Sequence, residues 1–452
     1  MCVDEGIIAL SRSIRLFREP GAGRLLLTCL VVLFLSGWIA AQVQSDWGRV
    51  HVQSIKIPTQ NGQWVVADLF RPRAASADSP APFIAVVPGF QRSKEALSNI
   101  ALELARRGFV TASIDPYAQG SSSASLSRIA ATTEGYGLFA LIDYVASSEN
   151  LNYVDKSRIG ATGHSAGGNA AIRAANYFGR EAIQTGMPSK LDSVYVSGYV
   201  LTLRDDVLAD VRSNVGVAYA LYDEGAYRNE LGHGDMRPAP EALRAVNSGL
   251  PAEQAVSVVD IGRYYGDKQA RTLRVVHNER VLHPFQPYMA EATANQIAYF
   301  EHVFDWSGEL SPYDQVWQWK EFLGVVSLIA GLVALVPMGQ LLLRTPWFSS
   351  LVRPVPQSLP KPSGRGRLLF WSTFAFAALV ACFTYIPMAE LSQKLFVAAS
   401  TRQLTWFFPQ RMNNAVMLWA ILNGTVGFVV FWLSYRFFGR ARGVSPTSWG
   451  LQ

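Results

Sequence analysis

The sequence is short of charged residues, and this shortage narrows what the chain can be. Only 16% of its 452 residues are charged, while 50% are hydrophobic, and soluble domains usually carry roughly 25% charged residues. Such a chain is not intrinsically disordered, because disorder goes with low hydrophobicity and high charge. Internal repeats and low-complexity tracts are also lacking, and the length allows about three ordinary domains.

Cysteine is scarce too. The three cysteines are Cys2, Cys29 and Cys382, and the last two fall inside apolar runs. The stretch 46–318 contains none, which excludes a disulfide and a thiolate zinc site there. This stretch must therefore be stabilised by its own hydrophobic core, and about 270 residues is ample for one.

The net charge of +6 is concentrated in three short segments. Residues 1–24, 344–367 and 436–452 hold twelve Lys and Arg against three acids, a net of +9, which leaves −3 for the rest of the chain. The basic residues lie beside apolar runs and do not form a groove-like face. This distribution excludes nucleic acid as the leading partner and favours a lipid bilayer.

Four apolar runs are long enough to cross about 30 Å of hydrocarbon as helices. They begin near Leu25, Phe322, Leu368 and Ala415. The first run could instead be a cleaved signal peptide. Its end, Trp38-Ile39-Ala40-Ala41, is a poor small-x-small cleavage site, so we interpret the run as an uncleaved anchor.

The basic groups also predict an orientation, because Lys and Arg collect on the cytoplasmic side. They are Arg12, Arg15, Arg18 and Arg24; Arg344, Arg353, Lys361, Arg365 and Arg367; and Arg436, Arg440 and Arg442. Four crossings put all three groups on one side. We therefore expect an integral protein of a bacterial inner membrane, with both termini cytoplasmic and the domain 46–318 extracytoplasmic.

The predicted organisation follows from these runs. In chain order it comprises a cytoplasmic N-terminus (1–24), a transmembrane anchor (25–42), the extracytoplasmic domain (46–318), a span (322–343), a Pro/Gly-rich cytoplasmic loop (344–367), a span (368–388), an extracytoplasmic loop (389–413), a span (415–435) and a cytoplasmic tail (436–452).

The extracytoplasmic domain is predicted to be α/β, with a mainly parallel, doubly wound sheet covered on both faces. A hairpin with an Asn61-Gly62 turn opens it. Short apolar runs typical of buried strands then alternate with helical patterns: strands at Phe83–Val87, Phe109–Ile114, Arg158–Thr162, Ser193–Tyr199, Val215–Tyr222 and Thr272–Val276, and helices at Ala96–Arg107, Gly137–Ala146, from Ala166, and at Tyr288–Phe304.

One motif carries chemistry. Gly163-His164-Ser165-Ala166-Gly167 is G-x-S-x-G between a predicted strand and a predicted helix. The flanking glycines permit a sharp turn that lifts the serine hydroxyl above the sheet and aims the helix N-terminus at it. A plain Gly-rich turn is the alternative, and the strand-to-helix context disfavours it. Ser165 is thus the candidate nucleophile.

With the elbow and two further segments, Val87-Pro88-Gly89-Phe90 and 115–121 (DPYAQGS), residues 46–305 resemble the α/β-hydrolases, in particular the dienelactone-hydrolase-like and esterase/lipase branches. The resemblance does not extend to the spans after Phe322. It implies an oxyanion hole formed by the backbone N–H groups of Phe90 and Ala166. Dienelactone hydrolases proper use a cysteine nucleophile, so their substrate does not transfer to a chain with serine at this position.

A serine hydroxyl needs a base, and the base needs an acid that orients it. In the α/β-hydrolases these follow in the order serine, acid, histidine. The predicted strand Val215–Tyr222 leads directly into Asp223 and Glu224, where the carboxyl end of a parallel strand places site residues. We favour Asp223 as the acid and keep Glu224 as the alternative.

Six histidines compete for the role of base. His283 immediately precedes the helix predicted at Tyr288–Phe304, where the family keeps its catalytic histidine, and is favoured; His277, at the end of the last strand, stays open. The others lie in less suitable places: His51 in the hairpin, His233 in a Gly-rich stretch, His302 in the closing helix, and His164 in the elbow, where its side chain is expected to point away.

These residues predict a membrane-anchored serine hydrolase that cleaves an ester, thioester or amide of a small-molecule or lipid substrate. Esterase, lipase and peptidase share this machinery, and no metal or organic cofactor is implied. Residues 225–255 are the expected source of any cap. Two alternatives remain: an acyltransferase acting on an envelope lipid or glycan, and a non-catalytic binding or assembly module with the same fold.

Overall fold

The computed structural model describes residues 21–59, 62–306, 308–352, 364–405, 407–408 and 410–439. The predicted turn residue Asn61 lies outside these ranges, as do Arg12, Arg15, Arg18, Arg353, Lys361, Arg440 and Arg442 of the charge argument. The chain forms two compact units. We call residues 42–318 with 397–410 the sheet unit, and the remainder the helical unit.

The sheet unit contains eight strands in the described residues. They are β1 (Val50–Pro58), β2 (Trp64–Pro72), β3 (Ala81–Val87), β4 (Val110–Ile114), β5 (Val154–His164), β6 (Ser193–Ser197), β7 (Asn214–Ala218) and β8 (Arg274–His277). Their order in the sheet is β1-β2-β4-β3-β5-β6-β7-β8. The pairs β1–β2 and β2–β4 are antiparallel, and every pair from β4–β3 to β7–β8 is parallel. The predicted α/β class with a mainly parallel sheet is confirmed.

The long helices of the chain are α1 (Ala22–Gln44), α2 (Ser98–Arg106), α3 (Leu138–Ser147), α4 (Ala166–Thr185), α5 (Pro240–Asn247), α6 (Ala290–Val303), α7 (Trp317–Leu342), α8 (Arg365–Leu395) and α9 (Arg411–Ser434). Four-residue helices occur at Ala130–Thr133, Asp205–Leu208 and Val397–Ser400, and α9 continues as a π-helical turn over Tyr435–Gly439. A 3₁₀ turn, His283–Tyr288, precedes α6.

Two hydrophobic layers cover the sheet. Helices α3, α4 and α5 pack on one face, and α2 and α6 on the other. Strand β3 serves both layers because its side chains alternate: Phe83, Ala85 and Val87 face the first, and Ile84 and Val86 the second. This double burial explains why the strand reads as one continuous apolar run.

Strand β7 is shorter than expected. The apolar run Val215–Tyr222 predicts a strand that reaches Asp223, but the ladder ends at Ala218. Tyr219 and Ala220 are still buried beyond the last ladder pair. The hydrophobic pattern therefore records burial, which continues after strand pairing has stopped.

Among the described residues, four helices that lie mainly in the helical unit are long and apolar enough to cross a membrane, by length and composition: Ala22–Gln44, Trp317–Leu342, Arg365–Leu395 and Arg411–Phe437. Within the unit, the hydroxyls of Ser36 and Ser327 lie 2.7 Å apart, and the Trp419 indole donates to the carbonyl of Ala381 at 2.9 Å. Helix α8 extends at both ends beyond the span expected at 368–388. These helices are compatible with a membrane protein.

Candidate active site

The parallel strands bring four chain segments to one edge of the sheet. The segment after β3 carries Phe90, the turn after β5 carries Ser165, and the segments after β7 and β8 carry Asp223 and His283. Parallel strands end at the same edge, which is where α/β sheets place their sites. Residues far apart in the chain thereby become neighbours.

Ser165 occupies a strained turn between β5 and α4. Its φ is +58°, a conformation that L-residues seldom adopt. The flanking glycines are required by space, since a Cβ on Gly167 would lie 1.9 Å from the carbonyl oxygen of Val87, and one on Gly163 would lie 2.4 Å from the backbone of Gly167. The elbow is a close approach of strand β3, strand β5 and helix α4.

Asp223 and His283 are hydrogen-bonded. The Nδ1 atom of His283 lies 2.8 Å from Oδ2 of Asp223, while Oδ1 accepts the N–H of Gly225 at 2.6 Å. Burial raises the pKa of the Asp223 carboxyl, but the hydrogen bond and charge of His283 outweigh it and hold that pKa below its ordinary value. An ionised Asp223 retains the proton on Nδ1 and leaves the Nε2 lone pair as the acceptor.

Glu224 contacts the same histidine at a different atom. Its Oε2 accepts the backbone N–H of His283 at 3.2 Å. The two carboxylates proposed from the sequence as alternatives thus both hold His283, one by the ring and the other by the backbone.

His164 does not point away, contrary to the expectation from the sequence. Its ring centroid lies 4.5 Å from that of His283, and a Cβ on Gly198 would lie 2.7 Å from its Nε2. Burial, and then the charge of His283, lower the pKa of His164 to about 3. The ring of His164 therefore stays neutral beside His283. Because His164 directly precedes Ser165, this ring contact connects His283 with the neighbour of the candidate nucleophile.

His277 is engaged elsewhere. Its Nδ1 lies 3.0 Å from the hydroxyl of Tyr195, and burial lowers its pKa to about 4. Among the described residues, no hydrogen bond joins the hydroxyl of Ser165 to either His277 or His283. Catalytic hydrogen bonds often form only when substrate binds, so the absence of this bond does not decide between the two histidines. The contacts with Asp223 and His164 distinguish His283.

The expected oxyanion donors flank the elbow. Ala166 is the first residue of α4, and the first N–H groups of a helix have no intrahelical partner. Phe90 follows Gly89, at which a Cβ would lie 3.3 Å from the Cβ of Ser165. Both residues are thus beside the nucleophile.

The segment 225–255, expected to supply any cap, contributes to the core. Met236, Ala242, Ala245 and Val246 are buried in the same layer as α3 and α4. This segment covers the sheet next to β8 and is not a separate cap domain.

Arg402 also lies at this edge, although no sequence pattern predicts it there. It lies in the loop between α8 and α9, with its guanidinium over the rings of Tyr136 (3.8 Å) and Phe90 (5.6 Å). In the sequence it is one of three basic residues, with Lys394 and Arg411, in the predicted loop 389–413. No local pattern indicates that this loop packs against residues almost three hundred positions earlier.

The strand order, the serine turn and the chain order of Ser165, Asp223 and His283 define the sheet unit as an α/β-hydrolase. A family model described as PETase, PET hydrolase-like, matches residues 38–230, which include Ser165 and Asp223 but end before His283. This match supports an esterase-like hydrolase.

Solved structures with this fold are similar to the chain. An esterase of Pyrococcus furiosus is 12% identical, with a TM-score of 0.40 over 57% of this chain and 94% of its own. An esterase of Pyrobaculum calidifontis is 18% identical, with a TM-score of 0.38 over 62% and 91%. A dienelactone hydrolase of Anabaena variabilis is 13% identical, with a TM-score of 0.36 over 58% and 100%.

Proposed function

We propose that the chain is a membrane-anchored serine hydrolase that cleaves an ester, thioester or amide bond. Ser165 attacks the carbonyl carbon as His283 takes its proton through Nε2, and Asp223 stabilises the imidazolium that forms. The backbone N–H groups of Phe90 and Ala166 hold the oxyanion. His283 then protonates the leaving group, and a water molecule activated by the same histidine releases the acyl group and regenerates Ser165.

The observation that carries the proposal is the 2.8 Å contact between Asp223 and His283, whose ring lies against the residue before Ser165. A carboxylate on Nδ1 selects the tautomer that a serine requires. Loss of one oxyanion donor in such a site raises the barrier by about 3 kcal/mol. The substrates are small-molecule or lipid acyl compounds.

The location of the site is part of the proposal. Residues 42–318 and 397–410 form one compact unit, and the apolar helices α7 and α8 lie between them in the chain. Two stretches of one unit must be on the same side of a membrane, which fits an even number of crossings. With positive-inside counting, this supports an extracytoplasmic site and cytoplasmic termini.

Active-site labelling tests the proposal. A fluorophosphonate probe should label the wild-type protein in membranes, and Ser165→Ala should abolish labelling. The matched control is Ser147→Ala, which changes an exposed serine on α3 whose hydroxyl donates to the carbonyl of Asp143; it should label normally. If the folded wild type resists the probe and hydrolyses no ester, the proposed hydrolase function is overturned. The alternative of a non-catalytic binding module would then remain.

A further inference from the structure

The loop between α8 and α9 belongs to the sheet unit. We call residues 397–410 the inserted loop. The N–H of Ser125 donates to the carbonyl of Arg402 at 2.7 Å, and the side chain of Gln403 donates to the carbonyl of Leu126 at 3.2 Å. A parallel bridge pairs Ser125 with Gln403. The chain between two apolar helices is thus fastened to the domain that carries Ser165.

These bonds place the guanidinium of Arg402 at the candidate active site. The guanidinium of Arg402 lies 5.6 Å from the ring of Phe90, the residue expected to donate to the oxyanion. It also stacks 3.8 Å from the ring of Tyr136. Both aromatic rings attract the guanidinium, but neither neutralises its charge.

In the part of the chain that the structure describes, Arg402 has no counter-ion. Within the described ranges no carboxylate lies within 4 Å of its guanidinium, and its buried Nη1 atom has no hydrogen-bond partner. Burial lowers the pKa of Arg402, yet an arginine remains protonated in proteins. A charge shielded from water is normally paired, so a guanidinium without a counter-ion favours the binding of an anion.

The backbone of Arg402 is also strained. Its φ is +60°, and Gln403 holds the turn through its N–H, which donates to the carbonyl of Ala398 at 2.8 Å. Strain of this kind in a non-glycine residue collects at ligand-binding sites. An asparagine or glycine would relieve the strain, whereas the arginine keeps a charge at the cost of strain and burial.

We propose that Arg402 is a specificity-determining residue that binds a carboxylate on the acyl chain of the substrate. This inference rests on the proposed function, because it assigns a substrate class to the same site. One guanidinium balances one negative charge, which fits a carboxylate better than a phosphate dianion. The preferred substrates are therefore monoesters of dicarboxylic acids, with the scissile ester at one end and the free carboxylate at the other.

Paired substrates test the proposal on the full-length protein in detergent. The anionic substrates are the mono-p-nitrophenyl esters of succinic, glutaric and adipic acid, and the neutral reference is p-nitrophenyl butyrate. For the best anionic ester, Arg402→Gln should lower kcat/KM at least about tenfold, the effect of one charge-assisted hydrogen bond, and leave the neutral ester nearly unchanged. Arg402→Lys should fall between them.

The control is Arg204→Gln, which removes an exposed arginine paired with Asp206 and should change neither substrate. If Arg402 only supports the fold, its substitution lowers both rates together. An unchanged ratio of the two kcat/KM values, or an equal fall in both, overturns the inference.

Binding separates this inference from the proposed function. Hydrolysis of the neutral ester by wild type, and its loss in Ser165→Ala, tests only the proposed hydrolase function. Calorimetry on Ser165→Ala judges Arg402 without turnover: monomethyl adipate should bind at least about tenfold more tightly than dimethyl adipate, and adding Arg402→Gln should remove that difference. Equal binding of the two esters overturns the inference even if the enzyme is active.

Discussion

Asp223 and Glu224 are adjacent carboxylates that contact His283 at different atoms, so their substitution should have different effects. Asp223→Asn should lower the turnover of p-nitrophenyl butyrate by up to about 10⁴-fold, because an asparagine can hold the wrong imidazole tautomer. Glu224→Gln keeps an oxygen that accepts the His283 N–H and should lower turnover by less than tenfold, the order of one neutral hydrogen bond. Unaltered melting temperatures would show that both variants fold.

Two results would contradict the assignment of Asp223 as the acid that orients His283. If Glu224→Gln is as damaging as Asp223→Asn, the acid is not assigned correctly. The double variant Asp223→Asn, His283→Ala should be little worse than either single one, because the residues of a triad act as a unit. Losses that multiply would mean that the two residues act independently.

A buried histidine, His164, and a half-buried one, His277, make the fold sensitive to acid. The pKa of His277 falls to about 4, and that of His164 to about 3, both chiefly through burial, whereas an unfolded histidine titrates near 6.5. Between these values the unfolded chain binds protons that the folded chain does not. Stability is therefore full above about pH 6.5 and is lost as the pH falls towards 4.

The contribution of His277 can be measured through His277→Gln, since glutamine can still bond to the Tyr195 hydroxyl. Between pH 7 and pH 5 the histidine should cost the wild type about 2 kcal/mol of stability. The apparent melting temperature should consequently fall less in the variant over that interval. An identical fall in both proteins would show that His277 does not titrate on unfolding.

At the scale of an element, the turn from β5 to α4 depends on the absence of side chains. Gly167→Ala should abolish hydrolysis and lower the melting temperature, because the new Cβ would lie 1.9 Å from the Val87 carbonyl. The control is Gly186→Ala after the last turn of α4, where no atom lies within 4 Å but φ is +69°. It should cost only about 1 kcal/mol and preserve activity. An active Gly167→Ala would contradict the packing of the elbow.

Elements were predictable from the sequence where one physical cause dominates. Burial on both faces leaves a continuous apolar run, and β3 was predicted to begin only two residues late. After Ala218 the side chains stay buried although strand pairing has stopped, so the apolar pattern predicted a strand that was too long. The direction of the His164 ring depends on a contact with His283, and that of Arg402 on contacts with Ser125 and Phe90. No local sequence pattern records contacts between residues so far apart in the chain.

For the whole molecule, the predicted topology can be tested with reporter fusions. Fusions after Gly308 should report the extracytoplasmic side, and fusions at 353–362 or after Arg442 the cytoplasm, because the basic residues cluster in those cytoplasmic segments. A fusion after Leu404 should agree with the one after Gly308, since both positions belong to the sheet unit. A cytoplasmic signal at Gly308 would reverse the orientation.

The inserted loop also fixes the order of events during synthesis. A ribosome completes residues 42–316 before it begins α7, but Arg402 follows only after α7 and α8 have been made. The sheet unit is thus built from two stretches of chain that are synthesised at different times. It cannot finish folding as an N-terminal domain would. Residues 397–410, the last part of the sheet unit, follow the apolar helices α7 and α8, so the complete unit appears only once those helices have been synthesised.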